Sequence, residues 1–387
     1  MTEMVYGAQA PKIRDSALPQ WWRSIDRLSI AAVFALFLIG MLLALAASPP
    51  LALGQGLDSF YYVNRQALYG VLGLSTMIFL STRSVKTARR LAVIGFFVFF
   101  VALALLPWFG TDYGKGSVRW FSFGLGSVQP SEFIKPLFAV TAAWLLAAST
   151  DIAGPPGRVM SFVLMAAIVL MLVLQPDYGQ ASLVIAGWST IFFVGGAPKK
   201  LIITLGALVA GGGWFAYTTV PHVAKRIDGF LAEEINPLTQ IGYATSAIQD
   251  GGLFGVGIGA GTVKWTLPDA HTDFIIAVAA EEFGLILVLV IIALFMFLTL
   301  RALLRLRRER DMFIRLSGVG LATVLGAQSL INLGVAVRLL PAKGMTLPFV
   351  SYGGSSLLAA GIMMGLLLAM TRTRSQGDMS EILGGRA

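Results

Sequence analysis

Long apolar runs separated by short polar breaks occupy most of this chain. A hydrocarbon layer roughly 30 Å thick takes about 20 helical residues. Ten runs answer to that pattern: 28–48, 66–81, 91–108, 133–148, 159–175, 181–196, 201–217, 274–300, 313–337 and 354–371. The second, fourth and sixth are short, so their ends are soft. The breaks are short too, except residues 218–273, which are rich in Gly and Pro. Neither an internal repeat nor a low-complexity tract interrupts the pattern. It predicts an all-α polytopic membrane protein: one ten-helix domain over 28–371, a large loop at 218–273 between helices 7 and 8, an N-terminal extension at 1–27 and a tail at 372–387.

Composition agrees. Of 387 residues, 56% are hydrophobic and 13% charged, and the mean hydropathy is +0.78. A soluble protein of this length needs more polar surface. The chain has no cysteine, which rules out a disulfide framework, a thiolate metal site and a thiol nucleophile.

Charge adds orientation. With the N-terminus in the cytoplasm, most of the 29 Lys and Arg residues fall in cytoplasmic breaks, among them Arg83, Lys86, Arg89 and Arg90 and the arginines between 301 and 315. Both termini are therefore expected inside and the 218–273 loop outside. The net charge of +9 belongs to this topology and is no sign of a nucleic-acid partner. The stretch "ALAASPP" after helix 1 faintly resembles a signal-peptidase site, but its apolar run is too long and starts too late, so an uncleaved helix is expected. An outer loop has no access to cytoplasmic ATP. The series "GLFGVGIGAG" at 252–261 does not fit G-x-G-x-x-G and follows no βαβ pattern; close packing or a flexible turn explains it better.

Four polar stretches interrupt the apolar pattern. The first, "LPDAHTDFIIAVAAEEFG" at 267–284, sets Asp269, His271, Asp273, Glu281 and Glu282 at the outer mouth of helix 8. Residues 283–300 alone give about 27 Å of helix, enough to span, so 274–282 is an extra apolar stretch at the outer face. On a straight helix Asp273 and Glu281 stand about 12 Å and about 80° apart, which argues against a three-carboxylate metal site. Taken alone, Asp273 reads as a helix N-cap, a role Thr272 fills equally well, or else as a functional acid at the membrane edge. Glu281 and Glu282 read as solvated interfacial acids or as functional ones, and His271 as an interfacial polar residue without a ligand cluster.

The second stretch, "KGSVRWFSFGLGSVQPSEFIKP" at 115–136, runs into helix 4, with Pro130 suited to its first turn. Glu132 and Lys135 are i, i+3 neighbours that can pair, either to lock the helix or to meet substrate. Pro136 clashes with the carbonyl of Glu132 and distorts that turn. Arg119 beside Trp120 is an interfacial anchor or a ligand contact. The third, "KGMTLPFVSYGGSSLL" at 343–358, offers backbone N–H donors, Ser355 and nearby Lys343 to an anion, or is an ordinary Ser-capped helix start. The fourth, "QPDYG" at 175–179, is a tight turn in which Asp177 reads as structural. A base at Asp273 and outer-face cations (Lys115, Arg119, Lys135, Lys225, Arg226, Lys264, Arg338 and Lys343) suit group transfer from a lipid pyrophosphate; a lipid or solute transporter fits nearly as well.

"LPDAHTDFIIAVAAEEFG", "QPSEFIKP" and "KGMTLPFVSYGGSSLL" resemble the three signature stretches of the SEDS family (shape, elongation, division and sporulation), and the resemblance runs through all ten helices and the long loop. "PHVAKRIDGFL" at 221–231, the glycine series running into 273 and the charged N-terminal extension are more similar to the division branch than to the elongation branch. The resemblance implies a peptidoglycan glycosyltransferase that polymerises lipid II at the outer face of the cytoplasmic (inner) membrane during septal wall synthesis. It implies a class B penicillin-binding protein and other division-complex membrane proteins as partners. It makes Asp273 the general base and Arg119, Glu132 and Lys135 substrate-binding residues. His271, Lys343 and Ser355 join them as candidates. A divalent cation, Mg or Mn, is implied by the family alone, since no cofactor motif is recognisable. A role in elongation, a lipid II flippase and a scaffold that only recruits the crosslinking enzyme are the alternatives.

Overall fold

The computed structural model describes residues 17–112, 118–124, 126–151, 153–231, 239–267, 269–340 and 344–373. A helix covers each of the ten apolar runs. They are α2 (Arg27–Gly54), α3 (Tyr61–Ser81), α4 (Val85–Phe109), α5 (Pro130–Ala148), α6 (Gly157–Leu174), α7 (Tyr178–Val194), α8 (Lys199–Thr219), α11 (Ile275–Leu306), α12 (Met312–Ala336) and α13 (Gly354–Thr371). Seven of these are long and apolar enough to cross a membrane, and α7 is a shorter apolar helix. The chain is a polytopic, essentially all-helical membrane protein. Among the described residues, the strands are a two-residue hairpin, β1 (Phe121–Ser122) with β2 (Ser127–Val128), set just before α5.

Three parts of the structure go beyond the apolar pattern. The N-terminal extension contains α1 (Ala17–Ser24), whose Trp21 and Trp22 rings pack together. Helix α2 runs on through Pro49 and Pro50 to a turn in which Ala52 is fully buried. The 218–273 loop contains two helices, α9 (Pro221–Leu231) and α10 (Gln240–Gly251), and a 3-10 turn at Val263–Trp265.

Helices α5, α12 and α13 form the centre, since most of their side chains are buried; α4 and α6 leave broad apolar faces exposed, as an outer layer facing lipid does. Helix α5 lies against α4, α6, α7 and α12, and α3 lies along α13. Small residues permit the closest approaches. A Cβ on Gly73 would stand 2.6 Å from the Leu357 carbonyl oxygen, and one on Gly361 2.1 Å from that of Gly73. This is the small-residue packing that membrane helices use where water supplies no hydrophobic drive between them.

Helix α11 is two segments. Gly284 has φ 75° and ψ −177°, a backbone conformation essentially restricted to glycine, and there the helix breaks. The segment before it, 275–282, is buried; the segment after it presents exposed apolar residues. The glycine series fills the break. Leu285 N–H donates to the Gly252 carbonyl at 3.0 Å, Val256 N–H to that of Glu281 at 2.9 Å and Gly257 N–H to that of Glu282 at 3.2 Å. Gly255 and Gly261 are there for close packing, a Cβ on them standing 2.2 Å from the Glu282 carbonyl oxygen and 2.7 Å from Glu281 Oε2, whereas Gly252, Gly257 and Gly259 meet nothing within 4 Å and serve the turn through their positive φ.

Candidate functional site at one end of the bundle

The N-terminal ends of α3, α5, α7, α11 and α13 and the C-terminal end of α12 meet at one end of the bundle. The segment 344–353, between α12 and α13, is stitched into them. Gln66 of α3, 1% exposed, donates to the Gly40 and Val350 carbonyls, both at 3.2 Å. Asn332 of α12 donates to the Asp273 carbonyl at 3.1 Å and to the Met345 carbonyl at 2.5 Å. Tyr352 N–H donates to the His271 carbonyl at 3.0 Å. The backbone carrying Asp273 is thus tied to the segment 344–353 at two points.

Asp273 is half-buried in the turn before α11. That helix has Phe274 at its N-cap position with no side-chain capping bond, so the capping reading of Asp273 is corrected; Thr272 likewise spends its hydroxyl on the Asp269 carbonyl, at 3.1 Å. The turn is closed by backbone bonds from Thr272 and Asp273 to the Asp269 carbonyl, each 3.1 Å. The Asp273 carboxylate faces Gly344: a Cβ there would stand 3.3 Å from Oδ2. Lys343 itself lies outside the described residues, as does Lys115.

His271 lies between two tyrosines, its ring 5.6 Å from Tyr62 and 5.4 Å from Tyr352. Burial pushes the Tyr352 phenol up to about 12, against the opposing pull of the Arg65 guanidinium, so it stays protonated beside the imidazole.

Glu132 and Lys135 pair within α5 at 2.8 Å, as their spacing predicts, and both are buried. Lys135 also donates to Gln328 Oε1 at 2.8 Å, and Gln180 donates to Glu132 Oε1 at 2.5 Å. Gln328 then donates to the Thr346 carbonyl at 2.9 Å. The pair is thus the middle of a chain linking α7, α5, α12 and the segment that faces Asp273. Every charge in it has hydrogen-bonding partners, the condition under which a buried pair is tolerated. Three uncharged amides, Gln180, Gln328 and Asn332, complete this site and were not singled out in the sequence. Amides inside otherwise apolar helices are the signal, because membrane helices use them to bond one another.

Arg119 binds the turn between α6 and α7, donating to the Gln175 carbonyl at 3.0 Å and to that of Pro176 at 2.7 Å. Asp177 caps α7 by accepting from Gln180 N–H at 3.5 Å, which agrees with a structural reading. Burial raises its carboxyl above the ordinary carboxylate value, more than nearby Arg119 lowers it. Ser355 Oγ accepts from Gln129 N–H at 3.1 Å and donates to the Ser127 carbonyl at 2.9 Å, fastening α13 to β2. The N-cap of α13 is Gly353 with no side-chain cap, so that helix start is not Ser-capped.

Glu281 and Glu282 are not solvated interfacial acids. They are 2% and 1% exposed. Glu281 Oε1 accepts from Thr262 N–H at 2.6 Å and Val263 N–H at 2.9 Å, while Glu282 pairs with Lys264 and accepts from Gly259 N–H at 3.2 Å. The loop at 259–264 folds over these acids and supplies donors to three of their four carboxylate oxygens, while Glu281 Oε2 is buried without a hydrogen-bond partner. Lys264, 8% exposed, is consequently held in this clamp and does not stand with open outer-face cations.

The comparisons with known proteins agree with this architecture. Residues 26–376 match the FtsW/RodA/SpoVE family, described as cell cycle protein. A probable peptidoglycan glycosyltransferase FtsW of Caulobacter vibrioides is 39% identical over 378 residues, with 96% of each chain covered. Stage V sporulation protein E of Bacillus subtilis is 33% identical, covering 90% of this chain and 97% of that one. Among solved structures, one from work on structural coordination of polymerization and crosslinking by a peptidoglycan synthase complex has a TM-score of 0.75 at 30% identity, covering 92% of this chain and all of that one. The rod shape determining protein RodA of Thermus thermophilus has a TM-score of 0.67 at 28% identity, covering 92% and 99%. The signature stretches, the helical order and these matches place the chain in the FtsW/RodA/SpoVE family.

Proposed function

We propose that this chain is a division-type peptidoglycan glycosyltransferase that polymerises lipid II. Its ten helices span the cytoplasmic membrane with both termini inside, which puts Asp273 at the outer face, where a lipid-anchored sugar can reach it. The observation that carries the reading is the placement of Asp273: half-buried, facing Gly344, on a backbone fixed by Asn332. Acting as general base, Asp273 takes the proton from the GlcNAc 4-hydroxyl of one lipid-linked saccharide. The oxygen attacks the anomeric carbon of MurNAc in the other with inversion, and undecaprenyl pyrophosphate leaves. One carboxylate suffices, because a pyrophosphate needs little help from a general acid, unlike the leaving group of a glycosidase.

Lys343 and Arg119 are assigned to the pyrophosphate and His271 to the saccharide. Glu132, Lys135 and Ser355 support the floor of the site, since their polar atoms bind protein groups on several elements. A divalent cation, Mg or Mn, is assigned to screening the pyrophosphate. A class B penicillin-binding protein is assigned as the partner that crosslinks the product, a reading supported by the similarity to a structure from work on polymerization and crosslinking by a peptidoglycan synthase complex.

The test is gel analysis of glycan strands made from labelled lipid II by the purified chain with its class B penicillin-binding protein. Asp273→Asn keeps size and removes the base, so wild type should make polymer and the variant none, with partner binding retained. Polymer from both would move the base elsewhere.

A further inference from the structure

At the end of α11 opposite Asp273 lies a second feature, which the polymerase reading does not use. A groove of about 1780 Å³ opens between the C-terminal part of α11, the start of α12 and the end of α13. A typical small-molecule pocket is about 300–1,000 Å³. One wall is apolar and exposed: Met296, Leu300 and Leu304 are 57%, 51% and 65% exposed and share one face of α11. Its mouth is basic. Six guanidiniums, those of Arg301, Arg305, Arg307, Arg308, Arg310 and Arg372, line it.

Three carboxylates stand close by, and each is engaged. Asp26 binds Arg301 at 2.5 Å and Arg305 at 3.2 Å. Glu309 Oε1 accepts from the backbone N–H groups of Arg310 and Asp311, and Asp311 caps α12 by accepting from Ile314 N–H at 2.9 Å. Among the described residues, the side chains of Arg307, Arg308 and Arg310 form no hydrogen bond or ion pair, and all three are exposed. The N-terminal end of α12 adds the positive pole of its dipole to the same mouth.

We propose that this groove binds an anionic diacyl phospholipid, its phosphate held by Arg307, Arg308 and Arg310 and one acyl chain lying along Met296, Leu300 and Leu304. The planar, always-charged guanidinium suits a phosphate because it can donate two parallel bonds. A soluble anion would leave the apolar wall without use, and a zwitterionic lipid would leave the excess positive charge unanswered. The proposal rests on α11 spanning a bilayer and is independent of the chemistry at Asp273.

The full-length chain, reconstituted in mixed bilayers, is titrated with spin-labelled phosphatidylglycerol and phosphatidylcholine, and the fraction of motionally restricted label gives their relative association. Wild type should favour phosphatidylglycerol. A basic side chain near anionic lipid contributes about 1 kcal/mol, so the preference should fall about 5-fold for each arginine changed in Arg307→Gln, Arg308→Gln and Arg310→Gln. The control Lys86→Gln/Arg90→Gln changes exposed basic residues at the start of α4, outside the groove, and should keep the preference. No preference in wild type, a preference surviving the triple change, or an equal loss in the control would overturn the proposal. Displacement of label by short-chain phosphatidylglycerol but not by glycerol phosphate supports the acyl contact; equal displacement refutes it.

Discussion

Lys264→Met tests the clamp that closes the glycine loop over α11. The side chain keeps its unbranched apolar stem, one atom shorter, and loses its charge. In the native protein Lys264 pairs with Glu282 and also donates to the Gly259 carbonyl at 3.2 Å. Without it, Glu282 keeps one donor, the Gly259 N–H at 3.2 Å, in a place where 1% of the residue meets solvent. Removing one partner of a buried ion pair typically costs about 3–5 kcal/mol, because the other charge is left stranded. Removing both is often nearly neutral, so Lys264→Met with Glu282→Gln should recover all but about 1 kcal/mol, the Gln amide keeping shape and a hydrogen bond. Unfolding free energies in detergent, measured by denaturant titration on the single and double variants, close a double-mutant cycle. A single variant within about 1 kcal/mol of wild type, or a double variant worse than the single, would refute the clamp.

Two more predictions follow from the same geometry. Asn332→Ala removes the donor shared by the Asp273 and Met345 carbonyls; a base displaced by about 1 Å can lose about 100-fold in rate, so glycan synthesis should fall by about 10- to 100-fold in a chain that still folds, read by strand yield and size-exclusion profile together. Asp177 has a folded-state pKa raised above its unfolded value, so its contribution to stability is fully present at pH below the ordinary carboxylate value and is lost as pH rises through the folded one. Asp177→Asn keeps a capping acceptor and should make the protein more stable at neutral pH with a flatter pH profile; a variant less stable at neutral pH would contradict that sign.

The apolar runs made all ten helices legible, because length and hydropathy are local properties. The i, i+3 spacing of Glu132 and Lys135 predicted their pair for the same reason. Glu281 and Glu282 were not legible: their burial depends on a loop some twenty residues earlier folding back across a break at Gly284. Periodicity carries no trace of such a return. Gln180, Gln328 and Asn332 were passed over because uncharged amides do not disturb a hydropathy pattern, yet the structure uses them to connect four elements. The helices within 218–273 were hidden by the Gly and Pro content of the region.

The pair inside α5 also bears on how the protein is made. Gln180 lies 48 residues beyond Glu132, and Gln328 lies 193 residues beyond Lys135. At a synthesis rate of about 5–20 residues per second, α5 emerges roughly 10–40 seconds before Gln328 exists. A lone charge costs about 2.5–3.5 kcal/mol at the centre of an inserting helix and less towards its end, where Glu132 and Lys135 stand. Because Glu132 and Lys135 are neighbours on one helix, each can neutralise the other as soon as that turn has formed. Helix α5 can therefore leave the translocon before the rest of the polymerase has been translated, and moving either charge to another helix would make its insertion wait for a partner.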